Sequence, residues 1–268
     1  MKISLSINRR HFIQQMGLLT GVAAVPNILS AQSSSKTQAD PANDRLNAVV
    51  VGLGKQGSGL LYGFLRSSGV QVIAVCDVDR EKLVRAQSQV NDYYAQKSGR
   101  SYKGCRAVVD YREIISSDEV DIVVFATPDH WHVQQSIEAA RAGKDIYCEK
   151  PLTLTIAEAR SLVNEIRRNE RILQTGSMQR SMGHFRFACE LVRNGYIGDV
   201  KKVRVSIRTG FISHPIICDL AAEKVPAELD WDLWLGPAPE RPYNAILAPP
   251  IAFDGFPAWR DYRDYSGG

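Results

Sequence analysis

Gly52, Gly54 and Gly57, in "VVVGLGKQG", carry the spacing G-x-G-x-x-G between an apolar run and a helical pattern. Glycines so placed bind an anion through the backbone. The first permits a tight turn, the second lets the main chain approach a pyrophosphate, and the third lets helix and strand pack closely. Lys55 and Gln56 open the helix, whose N-terminus offers N–H groups and a positive dipole end to phosphates. Asp77 closes the next apolar run, "VQVIAVCD". A carboxylate there accepts from both hydroxyls of a ribose, and its charge favours NAD over a 2′-phosphorylated nucleotide. Arg80, close in sequence, leaves NADP open.

Two further groups follow apolar runs. "ATPDHWH" holds Thr127, Pro128, His130 and His132, and "DIYCEKP" ends in Glu149, Lys150 and Pro151. The proline biases Lys150 toward extended backbone and accommodates a cis bond. A lysine held where a strand ends is either a solvated edge charge or a group aimed into a cleft. Two histidines at i, i+2 without a third ligand make a poor metal site, so no metal is expected. They read as structural or cofactor-edge residues.

The elements that must position these groups alternate along the chain. Strand-length apolar runs at "LNAVVVG", "VQVIAVCD", "VDIVVFATP", "DIYCEK" and "RILQTG" are separated by amphipathic helical patterns. Strands apolar throughout, with helices between, imply a parallel sheet covered on both faces. In such a sheet ligands bind beyond the carboxyl ends of the strands, which gathers the glycine loop, Asp77, Thr127–Pro128, His130, His132, Glu149 and Lys150 on one edge. Thr155 and Glu158 form a T-x-x-E capping box ahead of a stripe of Ile156, Ala159, Val163 and Ile166. After about residue 177 the pattern changes. A helix is predicted from Met182 to Asn194. "DVKKVRVSIRTG" then alternates as a half-solvated strand of an antiparallel sheet. The Pro- and aromatic-rich stretch from "GPAPERPYN" to "FPAW" reads as extended loop.

The formal charge of +4 includes Lys2, Arg9 and Arg10, and residues 1–31 hold no Asp or Glu. The remaining body is therefore near neutral, which argues against a nucleic-acid surface. No apolar run is long enough to span a bilayer. Residues 1–31 read as a twin-arginine-like export signal, with Arg9–Arg10, an apolar stretch and a small-residue exit. That implies a periplasmic or otherwise exported protein. Residues 32–44 are a polar linker. The five cysteines show no C-x-x-C spacing and read as buried thiols.

"VVGLGKQG", "CDVD", "ATPDHWH", "EKPLT" and "LQTGSMQR", in this order, resemble the glucose–fructose oxidoreductase, inositol dehydrogenase and MocA (Gfo/Idh/MocA) family over about residues 46–268. The resemblance implies a Rossmann doubly wound parallel sheet (45–175), followed by an incomplete α/β domain with an open antiparallel sheet for substrate and oligomer contacts (176–268). It implies NAD or NADP as cofactor, a sugar, cyclitol or related polyol as substrate, and homo-oligomers at full length. It sets Lys150 beside the nicotinamide and the reacting hydroxyl, where a partly desolvated lysine exchanges a proton or stabilises an alkoxide. Glu149 becomes an orienting or cofactor-contacting group. Tyr243, Trp259 and Arg260 are candidates to line a sugar pocket, with Gln179 a further substrate contact. In the family the turn at "YSGG" continues into a segment with Asp and His, so this chain is expected to be truncated. Two alternatives stand beside hydride transfer to a polyol: a glycosidase that retains NAD and works by transient oxidation, and a non-catalytic nucleotide-binding fragment.

Overall fold

A computed structural model describes residues 45–206 and 218–267. The expected export signal and linker lie outside the described residues. β1 (Leu46–Val51), β2 (Val70–Cys76), β3 (Arg106–Val108), β4 (Ile122–Phe125), β5 (Asp145–Glu149) and β6 (Leu173–Gly176) form one sheet in the order β3-β2-β1-β4-β5-β6. Every pairing is parallel. The order reverses between β1 and β4, so the doubly wound arrangement expected from the sequence is present. β3 was not anticipated: three residues, two of them exposed, carry no readable period.

The register fixes the working edge. Val51 lies opposite Cys76 and Phe125, and Phe125 opposite Cys148. Gly52, Asp77, Ala126 and Glu149 therefore lie level at one edge of the sheet. Behind them Val49, Val51, Ala74, Val123, Phe125 and Ile146 are fully or nearly fully buried, which is why these strands read as unbroken apolar runs.

The covering helices are α1 (Lys55–Leu65), α2 (Arg80–Ser98), α3 (Tyr111–Ile115), α4 (His132–Arg141) and α5 (Ile156–Arg168). Asp79 caps α2 by accepting from the N–H groups of Glu81 and Lys82, and Gly99 ends it in the left-handed region. The capping box of α5 is formed on both sides by Thr155 and Glu158. Its expected stripe is rotated, however. Ile156 is 91% exposed and Val163 is exposed, while Leu162 is the buried residue and Ile166 packs on the core. With Leu162 inward, Ile166 follows at i+4 and Ile156 cannot share the face.

The described residues divide into two compact units, residues 45–176 with 218–267, and residues 177–206. The sequence had grouped 176–268 together. In the smaller unit, α6 (Met178–Ser181) and α7 (Gly183–Arg193) precede Gly195, which has φ +75°. The predicted helix is thus formed at α7. Residues 199–206 form no strand, and the rest of that predicted strand, 207–210, falls outside the described residues. A strand is stable only with a ladder partner. In the larger unit, α8 (Trp231–Leu235) belongs to a second cluster with Tyr243, Leu247, Trp259 and Tyr265. Trp231 and Trp234 stack at 4.7 Å. The Pro-rich stretch is loop, as expected, and it packs Tyr243, Leu247 and Trp259 into this cluster.

Candidate functional site

Gly52 has φ +86°, and a Cβ there would lie 2.7 Å from the backbone of Ala126 and Thr127. A Cβ on Gly57 would lie 1.7 Å from the carbonyl oxygen of Gly52. These two glycines are required by the turn and by close packing of α1 on β1. Gly54 differs: a Cβ there would meet nothing within 4 Å. Gly54 is also the N-cap of α1, with no side chain capping it and no acid in the first turn. The open space over Gly54 and the uncapped helix end suit a phosphate group.

Asp77 ties this loop to the end of β2. Its Oδ2 accepts from the Leu53 N–H at 2.6 Å and its Oδ1 from the Asp79 N–H at 2.9 Å. Burial raises the pKa of this carboxyl, opposed by Lys82 and by the two backbone donors. The Lys82 ammonium pairs with Asp79 at 2.8 Å and donates to the Pro249 carbonyl at 3.3 Å. Arg80 is exposed, so the cation that faces this end of the site is Lys82, which the sequence reading passed over. The cap signal at Asp79 could have found it, because position N3 of a helix capped there points back toward the cap.

A cavity of about 130 Å³ opens above the β1–β4 switch point. One wall is Gly52, Gly54, Lys55, Gln56, Asp77, Thr127 and Pro128. Seven of the expected cofactor residues therefore come together. The other wall is Leu233, Trp234, Leu247, Pro249, Trp259 and Arg260. The guanidinium of Arg260 lies over Trp259 at 4.1 Å and over Phe256 at 4.9 Å, and burial lowers its pKa. Of the expected substrate residues, Trp259 and Arg260 line this cavity.

Other expected residues of the larger unit sit away from the cavity, each for a packing reason. Gly57 is consumed by the helix–strand contact. His130 is buried among Trp131, Trp234 and Tyr265, its Nε2 is 3.2 Å from the Trp234 carbonyl, and burial drives its pKa down to about 4. His132 is fully buried, with its ring between two backbone carbonyls. Neither histidine borders the cavity. Tyr243 is buried and donates to the Ala248 carbonyl at 3.0 Å. Gln179 lies on α6, in the smaller unit, which is described by itself.

Glu149 and Lys150 border the edge without lining the cavity. Glu149 is buried and accepts from Gln56 Nε2 at 2.9 Å. A Cβ on Gly176 would lie 2.6 Å from this carboxylate, so glycine at the end of β6 makes room for it. Lys150 precedes a cis Lys150–Pro151 bond and is exposed, where the resemblance implies a partly desolvated lysine. Among the described residues no group of three or more His, Cys, Asp or Glu could hold a metal ion, and no helix is long and apolar enough to cross a membrane.

Comparison with known proteins agrees with this geometry. The family described as "Oxidoreductase family, NAD-binding Rossmann fold" (Gfo/Idh/MocA) matches residues 46–177. Its "C-terminal alpha/beta domain" matches residues 185–268. The chain is 38% identical over 124 residues to glycosyl hydrolase family 109 protein 2 of Shewanella sp. strain ANA-3, covering 46% of this chain and 26% of that protein. It is 30% identical over 210 residues to a glycosyl hydrolase family 109 protein of Shewanella baltica strain OS185, covering 73% and 44%. The chain thus spans less than half the length of these relatives. Among solved structures, scyllo-inositol dehydrogenase from Lactobacillus casei with bound NAD(H) and scyllo-inositol aligns with TM-score 0.50 and 24% identity, over 58% of this chain and 43% of that one. At that identity the likeness shows the fold.

Proposed function

The chain belongs to the Gfo/Idh/MocA oxidoreductase family, and from that premise we propose that it is an NAD(P)-dependent oxidoreductase acting on a sugar, cyclitol or related polyol. The observation that carries the proposal is the open space over Gly54, beside Asp77, in the cavity at the switch point. The uncapped start of α1 would hold the pyrophosphate and Asp77 a ribose. Lys82, already neutralised by Asp79, bears on a 2′-phosphate, so NAD is the expected cofactor and NADP a weaker one.

A bound nicotinamide supplies the hydride acceptor or donor. This chain's residues do the rest. Oxidation of an alcohol carbon removes a hydride from carbon and a proton from oxygen. Lys150, directly after β5, is the group that takes up that proton or stabilises the alkoxide. Glu149 fixes Gln56 at the start of the phosphate-binding helix. Trp259 and Arg260 offer an aromatic face and donors to a hydroxylated ligand.

The relatives named as glycosyl hydrolases favour a second reading, hydrolysis of a glycoside with NAD retained through transient oxidation. Incubation of the full-length protein with NAD and a panel of polyols and glycosides separates the two. Net NADH formation supports the oxidoreductase. Free sugar without NADH supports the glycosidase. In either case Lys150→Ala is expected to lower turnover by about a hundredfold or more, and unchanged turnover would remove Lys150 from the chemistry. The paired Arg9–Arg10 and the following apolar stretch support export to the periplasm, and family membership supports a homo-oligomer.

A further inference from the structure

His132, the first residue of α4, is 1% exposed. Its Nδ1 is 2.7 Å from the Pro151 carbonyl oxygen and its Nε2 is 2.9 Å from the Thr127 carbonyl oxygen. A carbonyl oxygen can only accept, so each contact is a hydrogen bond only if the ring nitrogen carries a proton. A neutral imidazole carries one N–H. One of these short contacts would then set lone pair against lone pair in a site closed to solvent.

We propose that His132 is an imidazolium that donates to both carbonyls, and that this clamp positions Lys150. The two carbonyls belong to loops leaving adjacent strands. Thr127 and Pro128 follow β4 and line the cavity. Pro151 directly follows Lys150 after β5. With both bonds made, the lysine turn is tied at a fixed distance from the cavity wall. The β4–β5 ladder ends at Phe125 and Cys148, and the clamp ties the loops beyond it. His132 is thus a positioning residue: it touches neither cofactor nor reacting atoms.

Charged groups of both signs lie around this turn. On the same turn Asp129 is buried and accepts from Ser266 Oγ at 2.6 Å. Burial raises its pKa, while His132, Arg260 and Lys150 each favour its ionised form. His130, its neighbour but one, is kept neutral mainly by burial, with the charge of His132 adding to the effect. From β5 the groups facing this region are Glu149, engaged by Gln56, and Lys150. From the 218–267 segment it is Arg260, acting through Asp129.

The clamp is tested without any activity. Nitrogen-15 spectra of the histidine rings, recorded on the full chain near pH 8 where ordinary imidazoles are neutral, are expected to show one doubly protonated ring. Its N–H protons should give contacts to Thr127 and Pro151, which assign it in the unsubstituted protein, and the signal should vanish in His132→Gln. A bare nitrogen on His132 overturns the imidazolium. The positioning role rests on Lys150 being the proton-transfer group. On that footing His132→Gln should lower kcat about tenfold with Kd for NAD within about twofold. An unchanged kcat for His132→Gln, beside a severe loss for Lys150→Ala, overturns positioning alone. An unchanged turnover for Lys150→Ala instead sinks the functional reading and leaves the spectroscopic result to decide the clamp.

Discussion

The two walls of the cavity are built on different physics. The wall of Gly52, Gly54, Asp77 and Thr127–Pro128 is made of backbone leaving parallel strands, and it depends on where side chains are missing. The wall of Trp234, Leu247, Pro249 and Trp259 depends on side-chain volume, packed into an aromatic cluster. The first wall confers chemistry at little cost in burial. The second confers stability and closure. Damage to each should therefore read out differently.

Trp234→Ala removes the ring stacked on Trp231 and packed against His130 and Tyr265. Urea unfolding should show a loss of about 3–5 kcal/mol, the largest effect expected. A loss under about 1 kcal/mol would mean the aromatic wall does not hold the unit together. His130, in the same cluster, supplies the pH counterpart. Its folded pKa is about 4, against an ordinary histidine value of about 6.5, so the unfolded chain takes up a proton first as pH falls. Stability should be full above pH 6.5 and decline by up to about 3 kcal/mol as pH drops through 4. The same titration on His130→Gln should be correspondingly flatter.

Gly57→Ala tests the backbone wall. Its Cβ would press on the Gly52 carbonyl, so the loop must shift. We expect about 1–3 kcal/mol of lost stability and loss of measurable NAD binding by calorimetry. Retained NAD binding in Gly57→Ala, with stability reduced as in Trp234→Ala, would erase the distinction between the walls. Thr155→Ala, remote from both, removes half a capping box. It should cost about 1 kcal/mol in thermal unfolding and leave NAD affinity unchanged.

The same contrast explains what the sequence reveals. A backbone wall leaves a residue-level trace, because Gly52 and Gly57 tolerate no Cβ and Asp77 must end its strand. The five longer strands and the capping box at Thr155 were readable for similar reasons: a buried run or a cap needs particular residue types locally. The side-chain wall leaves no such trace. "GPAPERPYNAILAPPIAFDGFPAW" has no period, and its partners lie far away in sequence: the Pro249 carbonyl accepts from Lys82 Nζ at 3.3 Å. Hence Trp234, Leu247 and Pro249 went unnamed. His130 and His132 show the limit most clearly. Spacing placed both on the right edge, but only the fold reveals that one is packed in aromatics and the other held between carbonyls.

Calorimetric titration of NAD into the full chain and into Asp77→Ala tests the central claim most directly. We predict single-site binding that Asp77→Ala weakens by about tenfold or more, with NADP weaker than NAD. Equal affinity in the two chains, or no binding of either nucleotide by a folded protein, would contradict the assignment of this cavity to a dinucleotide.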